Sequence, residues 1–122
     1  MADYQFFNNN PLGKIESDCV YRAISLASNR PYQEIKEKLY YISRLLECDA
    51  LCICCYQHLL DDVFQYQKIC CKGMTVSDIA RKYPKGRLLV RMNGHISTII
   101  DSVVYDIWDC REELVTDCWR VE

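Results

Sequence analysis

Through residues 20–80 the apolar positions recur every three or four residues, and from residue 87 onward they fall into short runs broken by turn residues. Val20, Ala23, Ile24 and Ala27 stand at i, i+3, i+4 and i+7, which predicts an amphipathic helix with Ser17 or Asp18 as N-cap and Cys19 in its first turn. A second helix is expected from Pro31 to about Glu47, with Ile35, Leu39, Ile42 and Leu46 on one face. Residues 49–61 read as a short third helix carrying Cys52, Cys55 and Leu59, followed by a strand-like stretch from Phe64 to Cys71. Thr75-Val76-Ser77-Asp78 has capping-box spacing and opens a fourth helix that stops before Pro84.

The texture then turns to β. Arg87 to Met92 and His95 to Ile100 flank Asn93-Gly94, a strong hairpin signal. Asp101-Ser102 is the next turn, Val103 to Trp108 returns, and Leu114 to Val121 supplies a further strand after a charged loop. Residues 1–16, with Asn8, Asn9, Asn10, Pro11 and Gly13, read as an ordered arm or loop rather than a regular element. Helices first and an antiparallel sheet of about four strands second make this an α+β domain spanning residues 1–122.

Composition narrows the functions. Fifteen Lys and Arg against seventeen Asp and Glu give a net charge of −2 with no basic run, which argues against a nucleic-acid groove. No stretch approaches the ~20 apolar residues of a membrane span, and Met-Ala-Asp-Tyr-Gln-Phe-Phe-Asn is not a secretory signal, so a cytoplasmic protein is expected. Nine cysteines, an odd number without an export signal, are then thiols rather than a disulfide framework.

One thiol stands where chemistry can use it. A helix N-terminus or a neighbouring imidazolium stabilises a thiolate, the nucleophilic form, and Cys19 has the first of these. Of the two histidines, His58 lies on the third helix and His95 opens a strand directly after a tight turn, which makes His95 the better partner. With Asp101-Ser102 as a two-residue turn, Ile100 faces Val103, Ser97 faces Asp106 and His95 faces Trp108. His95 and Asp106 are then diagonal neighbours on one face, at roughly 7–8 Å between Cα atoms, while Asp109 points the other way.

Asp18-Cys19-Val20-Tyr21-Arg22-Ala23-Ile24, Met74-Thr75-Val76, Gly94-His95 and Val104-Tyr105-Asp106-Ile107-Trp108-Asp109-Cys110 resemble the small papain-like cysteine-peptidase-like proteins of bacteria and phages, and more distantly the peptidases that trim double-glycine leaders. The resemblance spans nearly the whole chain. It implies a minimal papain-like fold with Cys19 as nucleophile, His95 as general base and acid, and Asp106 orienting the histidine. A papain-like Gln expected about six residues before the Cys is replaced by Gly13. Gln5, Asn8 or Asn10 are the alternative oxyanion donors, with Asn10 the preferred candidate.

The implied reaction is cleavage of a peptide or isopeptide bond in a peptide or protein substrate, without a cofactor. The other class of function is a catalytically idle phage or mobile-element protein that binds a host protein. Cys48, Cys52, Cys54, Cys55 and His58, with Cys70 and Cys71, invite a zinc reading through the CxxC spacing of Cys52 and Cys55; buried thiols account for them more simply. Trp108, Trp119 and Tyr105 are expected in the core rather than a substrate groove, and Arg22 is placed one turn after Cys19 to pair with Asp18 or an acidic partner group.

Overall fold

The computed structural model describes residues 2–122. Four helices and six strands follow in the order β1 (Asp3–Phe6), α1 (Cys19–Ser28), α2 (Tyr32–Leu46), α3 (Ile53–His58), β2 (Gln67–Ile69), α4 (Val76–Lys82), β3 (Arg87–Met92), β4 (His95–Ile100), β5 (Val103–Asp106) and β6 (Asp117–Arg120). All six strands form one sheet in the order β1-β5-β4-β3-β6-β2. The α+β class stands, and the sheet is larger than the expected four strands.

Three features account for the difference. The polar arm contains β1, which pairs parallel to β5 and makes the sheet mixed. Four residues of Asp-Tyr-Gln-Phe at a sheet edge bury too little to leave an alternation signal, with only Tyr4 half-covered. The predicted strand over 64–71 shrinks to β2, because a π-helical turn over Leu59–Val63 prolongs α3 and the Phe64 and Tyr66 N–H groups bond back to Leu59 and Leu60 carbonyls. The last strand, β6, does not extend a meander; the loop after β5 crosses the sheet, and β6 pairs antiparallel with β3 and β2.

Alternation along β3 divides the interior between two faces. Leu89, with Ile96 and Trp119, packs against Val20, Ala23, Ile24 and Ala27 of α1 and Ile35, Leu39 and Ile42 of α2. Leu88, Val90 and Met92, with Ile99, Val104 and Cys118, pack against Val76, Ile79 and Ala80 of α4. Leu46, expected on the buried face of α2, is instead exposed at its last position. The α4 capping box is present, with Thr75 Oγ1 accepting from Asp78 N–H and Asp78 Oδ2 accepting from Thr75 N–H.

Both hairpins form in the predicted register. Met92 pairs with His95 across Asn93-Gly94, and Ile100 pairs with Val103 across Asp101-Ser102, whose positive φ values of 48° and 71° are those of a tight hairpin turn. The β4–β5 ladder ends at Thr98–Tyr105. Beyond that point Arg22 of α1 reaches the end of β5, its Nη1 donating to Asp106 Oδ1 at 3.2 Å.

Candidate functional site

Cys19 is the first residue of α1, and Asp18 is its N-cap by position. The Asp18 carboxylate does not cap the helix. Its Oδ1 accepts from Arg22 Nε at 2.6 Å, and its Oδ2 accepts from Asn10 Nδ2 at 2.9 Å and from the Tyr32 hydroxyl at 2.8 Å. The N-terminus of α1 is thereby left clear for Cys19. Asp18 carbonyl accepts the first helical bond from Arg22 N–H, so the N–H groups of Cys19, Val20 and Tyr21 precede the helical ladder and add positive potential beside the sulfur.

His95 opens β4 and reaches Cys19 and Asp106 at once. Its Nε2 lies 2.6 Å from Asp106 Oδ2, and its side chain lines one cleft with Cys19. With Nε2 committed to the carboxylate, Nδ1 is the nitrogen left for the sulfur. The ring is also held by Trp108, edge-on at 5.0 Å between centroids, the pair that the hairpin register predicts.

Asp106, 2 % exposed at the end of β5, is saturated with donors. His95 Nε2 and the Ser97 hydroxyl, each at 2.6 Å, bond Oδ2; Ile107 N–H at 2.7 Å and Arg22 Nη1 at 3.2 Å bond Oδ1. Burial favours its neutral acid, yet these donors and the imidazolium charge hold the carboxyl below the usual carboxylate range. Burial likewise disfavours the His95 cation, and the bonds to Asp106 and Cys19 override it, raising the imidazole to about 9. Burial pushes the Cys19 thiol up, and hydrogen bonds from His95 and the Ile96 N–H, with the charges of His95 and Arg22, bring it below the ordinary thiol value. All three directions favour a thiolate–imidazolium pair over a thiol–imidazole pair.

The pair opens on a cleft of about 520 Å³. Val20, Ile53, Ile107 and Trp108 supply apolar wall, and Tyr56 and Arg91 supply polar groups. Trp108 is 45 % exposed and belongs to this wall, whereas Trp119 is fully buried and donates to Asp61 Oδ1 at 2.6 Å. The core expectation thus holds for Trp119 and fails for Trp108, while Tyr105 is half-buried with its ring edge-on to Phe7.

Asn10, the expected oxyanion donor, is not on this cleft. It is buried in the arm, where its amide N–H groups go to Glu16 Oε1 at 2.7 Å and Asp18 Oδ2 at 2.9 Å. The amides of Gln5 and Asn8 donate to the Phe6 and Lys14 carbonyls. An asparagine near an ionised buried aspartate is more stabilising as that aspartate's partner than as a free donor, which explains the reassignment. The donors that remain beside the sulfur are backbone N–H groups at the start of α1.

Ser97, Tyr32, Tyr56 and Arg91 were not singled out as site residues from the sequence. Ser97 had a signal, since the hairpin register places it opposite Asp106. Tyr56 and Arg91 come from elements whose approach to one cleft depends on tertiary packing.

Among the described residues, one set of ligand atoms converges within 4.8 Å: those of His95, Asp106 and Cys110. Its carboxylate already accepts from His95 and Ser97 and faces the Arg22 cation, while burial foremost raises the Cys110 thiol to about 12, so the set is suited to proton chemistry rather than to a cation. The cysteine-rich segment forms no such set among the described residues, and His58 pairs with Asp62 at 2.8 Å. No helix among the described residues is long and apolar enough to cross a membrane. No family model, curated protein or solved structure matches the chain.

Proposed function

We propose that this chain is a papain-like cysteine hydrolase that transfers the acyl group of a peptide or isopeptide bond to Cys19 and then to water. The observation that carries this reading is the meeting on one cleft of Cys19, at the start of α1, and His95, which is bonded through Nε2 to a buried, fully bonded Asp106.

Each group has a defined task. Cys19 Sγ attacks the carbonyl carbon and the backbone N–H groups at the start of α1 face the developing oxyanion. The His95 imidazolium gives its proton to the leaving amine, and the neutral ring then takes a proton from water as the water attacks the thioester. Asp106 holds the ring orientation and stabilises the imidazolium throughout. Ile53, Ile107 and Trp108 accept apolar side chains of the substrate, a peptide or an exposed protein segment.

Incubation with a mixed-sequence peptide library, read by mass spectrometry, tests the proposal. Cleavage is expected with the native chain, together with a Cys19-linked acyl adduct on rapid acid quenching. Cys19→Ala and His95→Ala abolish both. Cleavage that persists in Cys19→Ala overturns the assignment.

The binding-only reading has one observation in its favour, the commitment of the Gln5, Asn8 and Asn10 amides elsewhere. Absence of a side-chain oxyanion donor typically costs ~10²–10³ in rate. Under that reading Cys19→Ala keeps the protein's full effect on its partner, whereas a hydrolase loses it.

A further inference from the structure

Four cysteines gather where α2 ends and α3 begins, and none belongs to the path just described. Cys48 follows the last turn of α2, Cys52 is the N-cap of α3, and Cys54 and Cys55 lie in its first turn. Cys55 is buried, and its thiol donates to the Leu39 carbonyl at 3.2 Å. Burial foremost, with the neighbouring thiols, raises it to about 12, so it stays protonated and inert.

The other two differ in access and in contact. Cys54 is exposed and Cys52 half-buried, and their sulfurs are 3.2 Å apart. A disulfide bond is about 2.05 Å, so a further approach of about 1 Å joins them. No three ligand atoms of this segment converge within 4.8 Å of one another among the described residues, which favours a reactive pair over a metal cage.

We infer that Cys52 and Cys54 form a dithiol site that is oxidised by low-molecular-weight disulfides of the glutathione type. The exposed Cys54 thiolate attacks one sulfur of the reagent, whose S–S bond breaks and releases one thiolate, leaving a mixed disulfide. The Cys52 thiolate then attacks the Cys54 sulfur, expels the second reagent thiolate and closes the Cys52–Cys54 bond. The two cysteines lose two electrons, the reagent gains two, and the two thiol protons end on the released thiols. Cys70 provides the contrast: it too is exposed, but its neighbour Cys71 is buried with its thiol against the Val115 carbonyl at 3.8 Å. Leu51 and Ile53, on either side of Cys52, line the cleft, so the modification sits next to residues of its wall.

The test uses the full chain as Cys19→Ala, so that it does not depend on the proposed activity. The reduced protein is exposed to glutathione disulfide, free thiols are alkylated, and the tryptic fragment Leu45–Lys68, which holds four cysteines, is sequenced by mass spectrometry. The expected fragment has alkylated Cys48 and Cys55, an internal Cys52–Cys54 bond and no glutathione, while Cys70 keeps a glutathione adduct. Cys52→Ser should trap glutathione on Cys54, and Cys54→Ser should remove the internal bond. Four alkylated cysteines, a lasting adduct on Cys54 in the presence of Cys52, or an internal bond that survives Cys54→Ser would overturn the inference.

Discussion

Arg22 shows how a single side chain links the helix of Cys19 to the strand of Asp106. Arg22 is 5 % exposed, and its guanidinium bridges Asp18 at 2.6 Å and Asp106 at 3.2 Å. Removing it strands two buried carboxylates, so Arg22→Met is expected to destabilise the fold by about 3–5 kcal/mol, measured by urea denaturation. Arg22→Lys recovers only part of this, because an ammonium lacks the planar fork that meets both carboxylates. Asp106→Asn leaves the shape nearly unchanged but removes the charge that favours the imidazolium. The proposed hydrolysis is expected to fall by ~10⁴, with the Cys19 thiol returning toward ordinary reactivity. An unchanged rate would show that Asp106 is structural only. These residues were legible early because their signals are local: Asp18 and Arg22 are four apart, and the Cys19 position follows from the apolar stripe behind it. Asn10 was misread because the sequence shows an amide within reach of the helix but not the buried carboxylate that claims it.

The hairpins position the chemistry, and they were the most legible elements. Two turns of two residues fix the register of β3, β4 and β5, and the register alone brings Ser97 and Asp106 opposite each other and His95 beside Trp108. Inserting one residue between Asp101 and Ser102 should reverse the facing of β5 and separate His95 from Asp106. Loss of Cys19 hyper-reactivity with retained circular dichroism would report that change. The α4 capping box is separable from the site: Thr75→Ala should cost about 1 kcal/mol in stability and leave Cys19 alkylation unchanged. What the pattern did not reveal were elements with little buried apolar surface. β1 and β2 are short edge strands, exposed over most of their length, and their pairing comes from backbone groups that carry no side-chain signature.

Across the molecule, the charge path ties stability to pH in a defined direction. The His95 pKa is raised from 6.5 to about 9 on folding, so its contribution is complete below pH 6.5 and is lost as pH rises through about 9. Asp18 and Asp106 are lowered, the first by Arg22, Asn10 and Tyr32 against its burial and the second by His95 and Ser97 against its own. Their contributions are complete above the ordinary carboxylate range and are lost as pH falls through the depressed values. Denaturation midpoints followed against pH should therefore decline on both sides, with the alkaline decline between pH 6.5 and about 9 removed in His95→Gln.

The central claim is that Cys19 and His95 exist as a thiolate–imidazolium pair. Alkylation of the nine cysteines as a function of pH, resolved by peptide mass spectrometry in the native chain and in His95→Ala, tests it most directly. Cys19 is expected to react well before the buried thiols and at lower pH than an ordinary thiol, with a further change near pH 9 as the imidazolium deprotonates, and His95→Ala is expected to abolish this advantage. Ordinary titration of Cys19 in the native chain, or the same low-pH reactivity without His95, would contradict it.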